Sequence, residues 1–541
     1  MKDSQTDHVL VVGAGPVGLV TAHELARRGV PVRIVDAAER PAPTSRAIAT
    51  HARTLEIYDQ MGVVEGMLAR GRRLQAFTMH RGGRQLVRMG ADYSRLPTRY
   101  PFTLMIPQAA TEAVLREALA EQGVKVEYGV RLARFEERAD GVRAVLSHRA
   151  DAEEGEETEE AVDVRWLVGC DGGHSVVRKQ LGIPLIGASS ETWLIADAEV
   201  ETVARQDSIH WISVDGGTVM LVPFPESGRW RLLDTADADY AGDPAEVAQR
   251  FAAKLSAGLG TPVTVRTPDW VSVFTIQQRM VPSMREGRVL VAGDAAHVHS
   301  PASGQGMNTG VQDAFNLAWK LAMVARGEAG ATLLDSYSAE RVPVGEALLG
   351  STARATSLVA LKSRLQDVLL PVVMGVVRNV PPLKGKIERK IMSAMSALEL
   401  SYPDSPLTVG SEGDAVPRPG QRVTRVNGEG AGAPAWSAFL AELRDPRWTL
   451  LVSGGGSSAE ELVGSRPDWL SVRTVRDGGP AAGLLADPGR VLRDGLRLAD
   501  DGWLLIRPDG YLAARGPRFS AREFARALAA LGPAGVTGAP G

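Results

Sequence analysis

The spacing of apolar positions changes along the chain in a definite order. Residues 9–12 form a short unbroken apolar run, followed by Gly13-Ala14-Gly15-Pro16-Val17-Gly18. A helical stretch over 17–28 is ended by Gly29, and a second apolar run over 32–35 closes on Asp36. This predicts a strand, a glycine turn, a helix and a parallel strand. Helical periods return at 52–61 and 109–122, and strand patterns at 124–128, 142–148 and 164–168. From about 191 to 276 the alternation becomes twofold, with runs at 193–198, 209–214, 219–223, 229–233 and 270–276, which predicts an antiparallel sheet. A strand over 288–292 then leads through Gly293-Asp294 and a glycine-rich turn into a helix over 307–326. Its Val311, Ala314, Phe315, Ala318, Leu321 and Ala325 make one apolar stripe. Residues 345–400 read as helical and connective. A Pro- and Gly-rich stretch near 403–435 marks a boundary, and strands at 448–452 and 503–506 belong to a smaller terminal α/β unit.

Composition narrows the classes. The 541 residues allow two to four domains. A net charge of −3 gives no electrostatic case for nucleic acid, and no polybasic stretch points to an anionic membrane. The single cysteine, Cys170, excludes an intrachain disulfide and a multi-cysteine metal site, and it agrees with a reducing cytoplasm. The first apolar run enters a glycine motif instead of a cleavage site, so no signal peptide is expected. The apolar stretch 368–377 is about half of the ~20 residues of a membrane span and contains Pro371. Aromatic residues are sparse at 5%, yet Trp193, Trp211, Phe224, Trp230, Trp270 and Phe274 all fall in the twofold-alternating region.

Three motifs carry the chemistry. Gly13 permits a tight turn after the first strand, Gly15 allows a pyrophosphate to approach the backbone, and Gly18 lets the helix pack near the sheet. Pro16 and Val17 open the helix, whose N-terminus offers unpaired N–H groups to phosphate. Asp36, followed by Ala37, stands where a ribose hydroxyl donor would be accepted. The motif does not separate one dinucleotide from another. The second motif, Gly169-Cys170-Asp171-Gly172-Gly173-His174, and the third, Gly293-Asp294-Ala295-Ala296-His297, each place one carboxylate at a strand end. Ligands of open α/β sheets gather at such ends.

In that order the three motifs resemble the group A flavoprotein monooxygenases, the p-hydroxybenzoate hydroxylase-like enzymes. Pro301, Gly304-Gln305-Gly306-Met307-Asn308-Thr309 and 313–320 are similar to the family's longest signature, and Ser45-Arg46-Ala47 and Pro107-Gln108 also match. The likeness is strong over 8–345, and residues 505–511 resemble the thioredoxin-like terminal domain of the phenol- and aromatic-polyketide-hydroxylase branch. The resemblance implies an α/β fold: a Rossmann-like FAD-binding domain (1–185 and 281–400, the latter with connecting helices), an inserted antiparallel-sheet substrate domain (186–280) and a thioredoxin-like C-terminal domain (401–541). It implies that Asp36 binds the adenosine ribose of FAD and that Arg46 and Gln108 touch the cofactor near its pyrophosphate and ribityl portion. Asp294 would hold the ribityl or pyrophosphate region, and Asp171 and Gly172 would serve FAD and a transient NADPH or NADH. Gly304, Gln305, Gly306, Met307 and Asn308 would lie beside the flavin's pyrimidine edge, with Pro301 at the flavin–substrate junction.

The implied reaction uses NAD(P)H and O2 to hydroxylate a phenolic, polycyclic aromatic polyketide through a flavin C4a-hydroperoxide. Baeyer–Villiger insertion or epoxidation of a polyketide intermediate is an alternative that the residues do not separate. A flavin reductase or binding protein without oxygen transfer is a third reading. No second glycine-fingerprint unit is present, so the nicotinamide donor would bind transiently. Trp211, Met220, Phe224 and Trp270 are candidates for the substrate wall, with core packing as the competing role. His297-Val298-His299 lacks a third ligand, and no metal is expected. The Gly-rich 453–458 lacks the Gly-Lys-Ser/Thr ending of a phosphate loop, and the terminal unit lacks Cys-x-x-Cys, so its expected role is structural, including contacts of a homodimer.

Overall fold

The computed structural model describes residues 8–44, 47–90, 96–148, 158–299, 304–360, 380–410, 415–454, 467–478 and 483–531. The acidic run 151–157, the apolar stretch 368–377 and most of the 453–458 loop lie outside the described residues, as do Ser45, Arg46 and Pro301.

The first sheet has six strands. Val289–Val291, Trp166–Gly169, Val9–Val12, Val32–Asp36 and Val126–Tyr128 lie side by side and parallel, with Arg285–Glu286 as an antiparallel edge. Val9–Val12 is central and buried on both faces, which is why its sequence shows no alternation. The helices Pro16–Arg27 and Gly306–Ala325 pack against each other and Gln108–Glu121 packs on the first of them. Gly306–Ala325 is buried from Asn308 through Val324, on every side, so the single stripe expected from the sequence understates its burial.

The second sheet has nine strands. Eight follow the order His297–Val298, Trp270–Met280, Ile186–Glu201, Arg229–Asp234, Gly217–Pro223, Ser208–Val214, Ala76–Arg81 and Arg84–Gly90. All neighbours are antiparallel except Ser208–Val214 with Ala76–Arg81. The last two strands come from upstream of the alternating segment and were not expected. Alternation sorts the side chains. Leu194, Ile212, Leu221, Trp230 and Leu232 pack under the helix Pro244–Leu259, while Trp193, Ile195, Met220, Leu233 and Phe274 take the opposite face.

The C-terminal unit is a five-stranded sheet in the order Leu484–Ala486, Leu470–Arg476, Trp448–Ser453, Trp503–Ile506, Leu512–Gly516, parallel in its first half and antiparallel in its second. It is docked on its own chain by buried charges. Arg507 pairs with Glu340 at 2.5 Å, Lys320 reaches the same carboxylate at 2.8 Å, and Asp509 accepts from Trp319 Nε1 at 3.2 Å. A second cluster joins Arg422 and Thr424 to Glu56 at 2.9 and 2.8 Å. Burial pushes Lys320 down to about 8, while Glu340 is held well below the carboxylate range by Arg507 and Lys320 against the same burial. No described helix is long and apolar enough to cross a membrane.

Candidate active site

Three neighbouring strand ends face one opening. Val9–Val12, Trp166–Gly169 and Val289–Val291 are adjacent in the first sheet, so Gly13, Asp171 and Asp294 follow at the same edge. The glycines there differ in purpose. Gly13 has φ +102°, and a Cβ on it would lie 2.4 Å from the Cys170 carbonyl oxygen; a Cβ on Gly18 would lie 1.9 Å from the Gly13 oxygen. Both positions are filled by protein. A Cβ on Gly15 would meet nothing within 4 Å, and Gly15 borders a cavity. Gly293 allows close packing, because a Cβ there would be 2.7 Å from Val17 Cγ2.

That cavity has a volume of about 910 Å³ and runs from the strand ends to the inner face of the nine-stranded sheet. It brings together Gly15, Pro16, Val17, Gln108, Gly172, Asp294, Gly304, Gln305, Gly306 and Met307 with Trp211 and Met220. The helix Pro381–Ser396 closes one side through Ile387, Ala394 and Met395; it is held by Glu388, which accepts from the Gly90 N–H at 2.9 Å, and by Gln305 Nε2 donating to the Ala394 carbonyl at 3.0 Å.

Several expected residues act beside the cavity. Asp36 accepts N–H groups of Ala14 at 2.6 Å and Ala38 at 2.8 Å, which ties the glycine turn to the second strand; neither it nor Ala37 borders the cavity. Asp171 Oδ2 caps the short helix Val176–Gln180 through Val176 and Val177 N–H, while its Oδ1 is buried with no partner among the described residues. Asn308 is a brace: its amide donates to the Ala49 and Gly304 carbonyls at 2.9 and 2.7 Å and accepts from His51 N–H at 2.9 Å. Phe224 and Trp270 do not border the cavity, which corrects the expectation of a direct substrate contact. Both rings instead flank Arg231, with its guanidinium carbon 5.4 Å from each centroid. They share the sheet face of the cavity, so alternation alone gave no warning.

Arg231, Phe77, Met79 and Met89 were not among the expected site residues, and the helix Pro381–Ser396, which falls in the expected helical stretch 345–400, was not expected at the cavity wall. Arg231 was within reach, because it stands two residues before Leu233 on the same sheet face. The strands 76–90 had no signal, because the strand they pair with, Ser208–Val214, lies more than a hundred residues downstream.

Among the described residues no group of three metal-type ligands forms. His297 Nε2 is 2.5 Å from Asp313, which also pairs with Arg341 at 2.6 Å. Burial opposes the Asp313 charge, yet His297 and Arg341 hold it below the ordinary range. The His299 ring stacks on His297, and burial followed by His297 pushes it down to about 3, so it is neutral. Burial drives the Cys170 thiol up to about 12, which removes it as a nucleophile.

The residues at the opening suit a dinucleotide. Gly15 leaves its face open, helix N–H groups stand behind it, Asp171 Oδ1 has no partner among the described residues, and the exposed Asp294 borders the cavity. Comparisons agree. An FAD binding domain family model matches residues 6–352. The 6-methylpretetramide 4-monooxygenase of Streptomyces rimosus is 50% identical over 528 residues, covering 97% of this chain and 93% of that protein. Pentachlorophenol 4-monooxygenase of Sphingobium chlorophenolicum is 31% identical, covering 94% and 93%. The solved structure of anhydrotetracycline hydroxylase from Streptomyces rimosus superposes with a TM-score of 0.70 at 29% identity, covering 98% and 99%. The mixed α/β fold, the strand-end glycine site and these likenesses together establish that the chain belongs to the FAD-binding-domain family and, within it, to the FAD-dependent aromatic monooxygenases of the polyketide hydroxylase branch.

Proposed function

We propose that this monooxygenase hydroxylates a phenolic, fused-ring aromatic polyketide, with NAD(P)H as electron donor and O2 as co-substrate. The observation that carries this reading is the continuity of one cavity, from Gly15 and Asp294 at the strand ends to Trp211 and Met220 on the second sheet. FAD, when bound, supplies the hydride acceptor and the centre of oxygen activation. Gly15 and the N–H groups of the helix it opens would hold its pyrophosphate, Asp36 and Gln108 its adenosine-side hydroxyls and linker, and Asp294 its ribityl chain. Gly304–Met307 would border the ring, where the N-terminus of a twenty-residue helix offers positive potential to a developing negative charge.

The rest is shape and dryness. The helix Pro381–Ser396 and the apolar side chains Phe77, Met79 and Met89 would exclude water, whose access promotes loss of hydrogen peroxide in place of oxygen transfer. Relatives are named for 6-methylpretetramide and anhydrotetracycline oxidation, and a cavity of this size suits the same class of multi-ring phenol. The nine-stranded sheet acts as the substrate domain. The C-terminal unit, read as a thioredoxin-like fold without thiol chemistry since the one cysteine is Cys170, acts as a buttress.

The deciding experiment incubates the FAD-loaded protein with a panel of polycyclic phenols, NADPH or NADH, and ¹⁸O₂. Mass spectrometry should find one labelled oxygen in the product and peroxide release below reductant consumption. Reductant consumption that ignores every phenol and ends wholly in peroxide would refute hydroxylation.

A further inference from the structure

Six of the chain's 14 methionines border the main cavity: Met79, Met89, Met105, Met220, Met307 and Met395. Thioethers fill irregular gaps, and that accounts for Met89, Met105 and Met220, which are buried. The other three differ. Met79, Met307 and Met395 are only half-buried, whereas the described methionines away from the cavity, Met61, Met67, Met280, Met284, Met323 and Met392, are all buried.

Each of the three stands on a different wall. Met79 is on the strand Ala76–Arg81, beside Trp211 of the neighbouring strand. Met307 is the second residue of the helix Gly306–Ala325, at the cofactor end. Met395 lies near the end of the helix Pro381–Ser396 and packs, with Ile387, on the apolar core of the second sheet. The hydrogen bond from Gln305 Nε2 to the Ala394 carbonyl ties the last two walls together, two residues from Met307 and one from Met395.

A thioether is a soft nucleophile that hydrogen peroxide oxidises. One S–O bond forms, the O–O bond breaks, sulfur gives up two electrons, and the peroxide leaves as water. The sulfoxide is polar and a poor neighbour for an apolar wall. Cys170, the other sulfur-bearing residue on the wall, does not compete, because burial holds it as a thiol. The peroxide is what O2 becomes when NAD(P)H reduces it and no phenol takes the oxygen. Peroxide made inside the cavity meets these three side chains before it dilutes into bulk solvent.

We infer that Met79, Met307 and Met395 are self-modification sites: when the enzyme reduces O2 with no phenol bound, the hydrogen peroxide made in the cavity converts them to sulfoxides, and the sulfoxide at Met395 loosens the closing helix Pro381–Ser396. This rests on the proposed use of NAD(P)H and O2 in the cavity. It adds that reductant consumed without a phenol leaves a covalent mark on the wall.

The test incubates the FAD-loaded enzyme with NADPH or NADH and ¹⁸O₂, without any phenol and with catalase in the bulk solution. Peptide mass spectrometry should find labelled oxygen on Met79, Met307 and Met395 at least about tenfold above the six buried methionines elsewhere, Met392 of the same helix included. The amides of 385–396 should then exchange with deuterium about tenfold faster, and methionine sulfoxide reductases A and B should reverse this. Met395→Leu should keep the label on Met79 and Met307 and lose the change in exchange. Label that catalase abolishes, label spread evenly over cavity and buried methionines, or exchange that ignores the label would overturn the inference. Reductant consumed and peroxide released with no labelled methionine would overturn it too, and would leave the monooxygenase reading standing. No consumption of reductant would refute that reading and this inference with it.

Discussion

Gly15→Ala should separate cofactor binding from folding. Gly15 has φ −70° and ψ −179°, an extended conformation that alanine adopts without strain, and its added Cβ would touch no protein atom within 4 Å. The apoprotein should therefore be unharmed or stabilised by about 0.4–1 kcal/mol, since alanine restricts the unfolded chain. The same methyl group points into the space that a pyrophosphate needs when it approaches the helix N–H groups. Losing one charge-assisted hydrogen bond costs about 1.5–3 kcal/mol, or roughly 10- to 150-fold in FAD affinity. Gly18→Ala gives the opposite signature, because its Cβ would fall 1.9 Å from the Gly13 oxygen and the helix must move away from the turn. Apoprotein melting by circular dichroism and FAD titration by fluorescence quenching measure the two quantities independently. A Gly15→Ala protein that melts well below wild type, or that binds FAD with unaltered affinity, would refute the reasoning.

Four other outcomes follow from named contacts. Asp294→Ala should fold and lose most of its FAD on gel filtration; a variant that stays yellow at full stoichiometry would count against a role for that carboxylate. Trp211→Ala should raise KM for a multi-ring phenol by about tenfold or more, the scale of a lost aromatic contact, while FAD content is unchanged. Arg507→Met leaves Glu340 and Asp509 buried without their main partner and should cost about 3–5 kcal/mol in denaturant unfolding; a loss under 1 kcal/mol would show the docking is held elsewhere. His299 has a folded pKa of about 3, below its ordinary 6.5, so the unfolded state gains a proton first as pH falls. Its stabilisation is complete above about pH 6.5 and shrinks toward pH 3, at up to about 1.4 kcal/mol per pH unit, and His299→Phe should remove one proton's worth of that slope.

The hydrophobic pattern located most of the local elements because each obeys its own period. The unbroken apolar run at 9–12 marks a strand covered on both faces, and the twofold runs at 209–214 and 219–223 mark strands with one face on a helix and the other on the cavity. The three strand-end motifs were legible for the same reason, since turn chemistry is local. Pairings between distant segments were not. Nothing in 76–90 announces that it will extend the sheet built from 186–280, because that choice depends on shape complementarity between faces. Phe224 and Trp270 are candidates for the substrate wall by type and location, with core packing as the competing role. The structure commits them to Arg231, a partner visible only once Asp197, Arg231 and Trp270 are aligned across three strands.

The helix Gly306–Ala325 shows why the remaining polar pattern matters. Buried on all sides, it would find nearly as much apolar contact after a small slide along its axis, since Val311, Ala314, Leu317, Ala318 and Leu321 are similar in size and chemistry. Its buried polar residues remove that freedom. Asn308 is fixed to the Ala49 and Gly304 carbonyls, Asp313 to His297 and Arg341, and Asn316 and Lys320 to Glu340. Each bond is directional, and a shift of one residue, about 1.5 Å, would break several together and leave buried charges unpaired. The helix N-terminus at the cavity is therefore positioned from its far end, by Glu340 and by Arg507 and Asp509 of the C-terminal unit. A domain with no described residue in the cavity wall thereby helps fix where that helix dipole points.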